Sequence, residues 1–207
     1  MGWRKSWIIV MIFGLAGCSS ILTSEKPAPV YYQIEYEAAP VDCEHSFNQQ
    51  VWVWEFSAAS PFNRAEMVVV QPGGEVRFSD AYQWVASPGV MLAEHLARDL
   101  STGELFPLVV TGTRPGIIPL ELSGRVYRWA WEEEGEVSRA VLKIELSLIE
   151  TGAEREVVFH RMYNLRSQAF DKDNSVLFAQ AMGDLVGRLS GNIRRDLCRV
   201  AAERSAE

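Results

Sequence analysis

The sequence predicts a mixed α/β domain: one sheet containing an antiparallel meander, with two main helices packed on it. Three observations carry this reading. Residues 120–165 hold three stretches that alternate apolar and polar side chains with a period of two, which a half-buried strand requires. Residues 178–200 hold an apolar stripe at i, i+3/i+4 spacing, the pattern of an amphipathic helix. Two further extended stretches flank Pro72-Gly73-Gly74, a turn sequence.

In chain order, Tyr31-Tyr32-Gln33-Ile34-Glu35-Tyr36 is aromatic and β-branched enough for a first strand. Pro40–Asn48 is a connection, and Val51-Trp52-Val53-Trp54-Glu55-Phe56 is a second strand. Glu66–Gln71 and Glu75–Ser79 form a hairpin about the glycine turn, followed by Asp80–Trp84 as a loop. Ser87-Pro88 is an N-cap with proline at the first helical position, and Met91, Leu92, His95, Leu96, Asp99 and Leu100 keep helical spacing to Thr102-Gly103. Leu105–Val110 reads as a short strand, and Arg114-Pro115-Gly116 as a turn.

The meander follows. Leu120, Leu122, Val126 and Ala130 alternate with Glu121, Ser123, Arg125 and Tyr127; Ala140 to Leu148 and Val157 to Leu165 supply its other two strands. Asp173-Asn174-Ser175 caps a final helix carrying Phe178, Met182, Leu185, Leu189, Ile193 and Leu197, with Arg194, Arg195 and Arg199 complementing the dipole at its C-terminal end.

The N-terminus has a different texture. Arg4 and Lys5 precede an apolar run from Trp7 to Phe13 that ends in Leu15-Ala16-Gly17-Cys18. A basic start, a short apolar region and small residues before a cut make a secretory signal, and the cysteine makes the set resemble a bacterial lipobox. That resemblance implies cleavage before Cys18 and lipidation of Cys18. The competing reading is a transmembrane helix, but spanning needs about 20 apolar residues, and Ser19-Ser20 closes the run early. One acyl chain holds a protein marginally and two or more hold it stably, so a triacylated Cys18 is a lasting tether. Ser19, rather than Asp, after the cysteine points to the outer membrane under the enterobacterial sorting rule.

The expected organisation is a signal peptide over 1–17, a lipidated tether over 18–29 and a single domain over 30–203. Cleavage removes Arg4 and Lys5 and no acid, moving the formal charge from −7 to −9. That lacks the basic footprint of a nucleic-acid binder, and membrane association rests on the lipid. With Cys18 lipidated, Cys43 and Cys198 remain. An oxidising compartment favours a disulfide between them over two separate thiols.

Chemistry-bearing motifs are sparse. His45, His95 and His160 are scattered, without metal-type spacing, and no nucleophile elbow, phosphate loop or dinucleotide fingerprint is present. Glu132-Glu133-Glu134 reads as a solvated hairpin tip. No catalytic residue, metal site or cofactor is expected. Aromatic residues stand out instead. Tyr127, Trp129 and Trp131 share the strand face opposite Leu122 and Val126 on a strict alternation, and Tyr82 and Trp84 precede a helix. They are either packed beneath a helix or exposed for a partner. On the second reading Tyr82, Trp84, Trp129 and Trp131 are partner-binding residues.

The lipobox, the early Tyr-Tyr-x-Ile strand, Ser60-Pro61-Phe62-Asn63-Arg64, and Phe78–Pro88 leading into a helix together resemble the ABC-type transport auxiliary lipoproteins. In that family a Tyr/Asn-rich segment ending in an Arg-Trp-Ala-like triplet precedes the first helix; here the triplet is Gln83-Trp84-Val85, so the tryptophan alone matches. The resemblance implies a mixed α/β fold and a non-catalytic function. It implies partnership with MCE-domain proteins and ABC transporter components that move lipids between membranes, and a lipid-anchored position facing the periplasm. A homo-oligomer is compatible with it. The alternatives are a lipoprotein regulator of an envelope (cell-wall) enzyme and a carrier holding acyl chains in an internal cavity.

Overall fold

The structure, a computed structural model, describes residues 27–113, 116–152 and 154–206; the lipobox and Cys18 lie outside the described residues. In chain order come β1 (Val30–Tyr32), β2 (Val51–Val53), β3 (Ser57–Ala58), β4 (Glu66–Val70), β5 (Val76–Trp84) and helix α1 (Pro88–Ser101). Then follow β6 (Val109–Val110), β7 (Leu120–Glu134), β8 (Val137–Thr151), β9 (Arg155–Arg166), β10 (Phe170–Asp171) and helix α2 (Ser175–Ser205). All ten strands belong to one mixed sheet.

Strand β7 is its spine. Along one edge it pairs in parallel with β2 (Val51 opposite Leu120), β3 (Ser57 opposite Arg125) and β4 (Val69 opposite Trp131). Along the other it runs antiparallel to β8, which pairs antiparallel with β9, so the predicted meander is present over its full length. The early strands are shorter than the sequence pattern implies, and β5 is longer. Residues 80–84, expected as a loop, continue β5 because β1 pairs in parallel with them, Val30 opposite Tyr82 and Tyr32 opposite Trp84. A partner strand from elsewhere in the chain supplies the ladder that local propensity did not announce.

Both helices cover the same sheet face. Leu92 and Leu96 of α1, Val186 and Leu189 of α2 and Ile144 of β8 meet around one point, and the space left there is about 10 Å³. At that point an acyl chain has no room between helices and sheet. Helix α2 starts where Asn174 Oδ1 accepts from the Leu177 amide at 3.0 Å, as its sequence signature requires. Ser87 occupies the N-cap of α1 in extended conformation without a side-chain cap, and Pro88 follows at the first helical position.

The segment after β1 crosses α2 as a strap. Gly183 lies directly beneath the Glu35 carbonyl, and Gly187 beneath the Tyr36 ring. Gly89 makes a similar backbone approach to Phe56 at the start of α1. A Cβ at Gly183 would overlap backbone rather than a flexible side-chain tip, so the strap must lift. Gly183→Ala is therefore expected to cost about 1–3 kcal/mol in chemical denaturation, overriding the ~1 kcal/mol helix-propensity gain of alanine. A variant as stable as wild type would contradict the packing described.

Candidate interaction surface

The four aromatic residues expected at an interface divide sharply. Trp84, Trp129 and Trp131 are 1%, 1% and 4% exposed. Trp84 meets Trp129 edge to face at 5.5 Å and Phe178 of α2 at 5.5 Å, while Trp131 stacks on Phe178 at 5.0 Å. These three are the aromatic core beneath α2, and their assignment as partner-binding residues is corrected accordingly. The physical reason at Trp129 and Trp131 is a β-bulge between Val126 and Arg128, where two residues of β7 meet one step of β8. One extra residue inverts the alternation. Val126 opposite Ile144, Trp129 opposite Leu142 and Trp131 opposite Ala140 thus share the helix-covered face, and Tyr127 is left on the other. Tyr82 is partly buried, edge to face with Tyr32 at 6.2 Å, and retains some exposed surface.

The opposite face of the sheet carries no helix. Antiparallel sheets commonly leave one face wet, and here the side chains on it are charged groups interleaved with aromatics. Trp54 is 42% and Tyr127 37% exposed, with Tyr31, Phe78, Val157 and Met162 also exposed. Trp52 and Trp54 lie 4.0 Å apart, centroid to centroid, and the Trp54 indole donates to Glu121 at 3.4 Å. Glu121 is buried beside them and pairs with Arg155 at 3.1 Å. Further along, the Tyr127 hydroxyl donates to Glu145 at 2.7 Å, and Arg125 stands 5.6 Å over the Tyr127 ring. At the opposite sheet edge the Arg64 guanidinium lies 3.9 Å over Phe78. Fixed aromatic rings rimmed by charge have the composition of interface centres. The alternation Val51-Trp52-Val53-Trp54 held the signal for this patch, since the valines face the core and the tryptophans the open side.

Ser147, His160 and Glu145 also meet on this face, with Ser147 Oγ 2.9 Å from His160 Nδ1 and His160 Nε2 3.2 Å from Glu145. Ser147 stands opposite His160 in the ladder, with Glu145 one pleat away. The contacts are cross-strand pairing on an open surface, not a nucleophile held in a concave site. Among the described residues no cluster of His, Cys, Asp and Glu has metal-binding geometry. No helix of the described residues is long and apolar enough to cross a membrane. The acidic run at the β7–β8 turn is not simply solvated: Glu132 pairs with Arg166 at 2.6 Å and with Arg128, Glu134 with Arg139 at 3.0 Å and with Arg166, and Glu133 with Lys172 at 3.6 Å.

A buried polar centre joins strap, α1 and α2. Asp99, 1% exposed, accepts from the Tyr36 hydroxyl at 2.5 Å and from Ser190 at 2.6 Å, and pairs with Arg98 at 2.9 Å. Burial first, then the bond to Asp99, pushes the Tyr36 hydroxyl far above the ordinary tyrosine range. His95 packs 5.4 Å from the Tyr36 ring, and burial followed by the Arg98 charge holds its imidazole below the ordinary histidine range. A histidine that resists protonation in the fold but accepts a proton when unfolded makes stability rise with pH. Melting temperature is therefore expected to fall as pH drops through about 6.5, and His95→Gln to flatten that part of the profile. An equal slope in wild type and variant would contradict the placement of His95.

Cys43 and Cys198 form a disulfide with Cα atoms 5.4 Å apart, tying the segment beyond the strap to the last turns of α2. Of the two readings open for these cysteines, the bridge is the one present.

Comparison with known proteins agrees with this architecture. Among solved structures, a protein from Xanthomonas campestris superposes with a TM-score of 0.74 at 16% identity, covering 86% of this chain and 99% of that one. A hypothetical protein from Chlamydia trachomatis superposes at 0.53 and 8% identity, covering 75% of this chain and 99% of that one. At these identities the likeness is one of fold. No curated protein matches the sequence. A family model described as the ABC-type transport auxiliary lipoprotein component matches residues 32–194, from the end of β1 well into α2. The chain therefore belongs to the family of ABC-type transport auxiliary lipoprotein components.

Proposed function

We propose that the protein is a non-catalytic component of an MCE/ABC-type intermembrane lipid transport system, docking the transport conduit at the membrane. The observation that carries this reading is the family match over residues 32–194. The lipobox supplies the anchor: lipidated Cys18, followed by Ser19, places the chain at the outer membrane facing the periplasm. About 12 residues separate Cys18 from Val30, and at 3.3–3.6 Å per residue the tether reaches at most about 40 Å. The domain stays within that distance of the lipid surface. The uncovered sheet face is the docking surface, with Trp54 and Tyr127 as its anchors and Tyr82 at the edge beside β1. Partners are an MCE-domain protein and the ABC transporter components that power it.

The test is cross-linking in cells expressing the tagged, full-length protein, followed by affinity purification and mass spectrometry. Recovery of an MCE-domain protein or its ABC transporter is expected. Trp54→Ala combined with Tyr127→Ala is expected to reduce that recovery severalfold while the domain still folds with a cooperative melting curve, as losses at exposed interface anchors do. Recovery of a peptidoglycan synthase instead would overturn the proposal in favour of a cell-wall regulator.

A further inference from the structure

Arg194 is the one arginine of α2 that the fold buries, at 7% exposure. One terminal nitrogen donates to the Ala39 carbonyl of the strap, and its Nε is enclosed without a hydrogen-bond partner. Among the described residues no carboxylate pairs with it. Asp99, close by, is already engaged by Tyr36, Ser190 and Arg98. A buried guanidinium without a counter-charge is unfavourable, so this one is either a structural strap alone or half of a binding site.

Its surroundings favour the site. Arg194 lines a cavity of about 420 Å³ between the segment 38–43 and the residues that follow α1, within the size range of small-molecule pockets. Three further charged residues line it: Asp99, buried and already paired with Arg98, and Asp42 and Glu104, both exposed. Besides the Asp99–Arg98 pair, the cavity thus has one uncompensated buried cation in its wall and two carboxylates toward solvent. An inorganic anion would meet the guanidinium but be repelled at the rim. A cation would be held at the rim and repelled inside. A zwitterion satisfies both: its oxyanion takes the planar guanidinium fork, and its ammonium stays between the carboxylates.

We infer that this cavity binds a zwitterionic small molecule, with an oxyanion on Arg194 and an ammonium held by Asp42 and Glu104. Phosphoethanolamine carries both groups, and it exists either as a free compound or as a lipid headgroup. The site stands apart from the transport reading and from the open sheet face, so either can fail without the other.

The experiment is isothermal titration of the full-length protein in dodecyl maltoside with phosphoethanolamine, and separately with inorganic phosphate. Saturable one-site binding of phosphoethanolamine is expected, with phosphate binding at least tenfold weaker. Arg194→Gln is expected to weaken binding of both by about tenfold or more, the scale of one lost charge-assisted contact. The double variant Asp42→Asn with Glu104→Gln, on exposed side chains that the fold does not need, is expected to weaken phosphoethanolamine and strengthen phosphate. That crossover is something a purely structural Arg194 would not produce, and it decides the matter if Arg194→Gln fails to fold. No saturable heat with wild type, or equal affinities in wild type and the rim variant, would overturn the site. Competition by phosphatidylethanolamine nanodiscs assigns the ligand to a lipid headgroup, and undisturbed binding assigns it to the free compound; both outcomes retain the site.

Discussion

Replacing Cys43 and Cys198 with serine is expected to lower stability by about 5 kcal/mol, the loop-closure entropy for a ring of this length. The two cysteines are 155 residues apart, so the bond joins the start of the domain to its last helix and closes a long loop in the unfolded chain. In the native state it secures a segment with little other support. Residues 39–46 form no regular secondary structure, and Ala39 is held by a single arginine on α2. The measurement is a denaturant midpoint for wild type, oxidised and reduced, beside the double serine variant. Reduced wild type and variant are expected to coincide, both well below the oxidised protein. A midpoint insensitive to reduction would show that the segment 39–43 is held by packing instead.

Trp84→Ala is expected to destabilise the domain by about 3–5 kcal/mol, the range for emptying an aromatic site in a core. The ring is 1% exposed and wedged between Trp129 and Phe178, which belong to the sheet and to α2. Its removal opens a cavity where three elements meet. Trp84→Phe is expected to cost much less, under about 2 kcal/mol. The phenyl ring refills most of the space, and the indole N–H it deletes makes no hydrogen bond in the fold. The contrast between these two substitutions separates a packing residue from a docking residue. A docking tryptophan would lose partner recovery in both variants at unchanged stability. Here recovery is expected to track the folded fraction. Equal stability of wild type and Trp84→Ala would put Trp84 back at an interface.

The two predictions bear on what the sequence discloses about an aromatic-rich surface. The pattern of period two correctly located β7, β8 and β9, because each strand has one dry and one wet face and side chains record that directly. It failed at one step. The bulge after Val126 is a relation between two strands, with no marker in β7 itself, and it exchanged the faces of every residue beyond it. Tyr127 stayed out while Trp129 and Trp131 went in. Trp54 went unnoticed for the complementary reason: a short strand with valines and tryptophans alternating gives both faces apolar residues, and only the placement of the helices tells which is covered.

The local pattern and composition of the chain were enough to set the mixed α/β class, the meander and the N-cap and apolar stripe of α2, and to favour the pairing of Cys43 with Cys198. Each depends on periodicity, on a neighbour within a few residues, or on counting. The tertiary structure alone decided the extension of β5 by β1, the inversion at the bulge, the strap over Gly183 and the burial of Arg194. All of these depend on what another part of the chain brings alongside: a free strand edge, a partner's register, a carbonyl above a glycine, a loop closing over a charge. Ladder pairing and burial are free energies of contact between distant segments, and no residue carries them by itself.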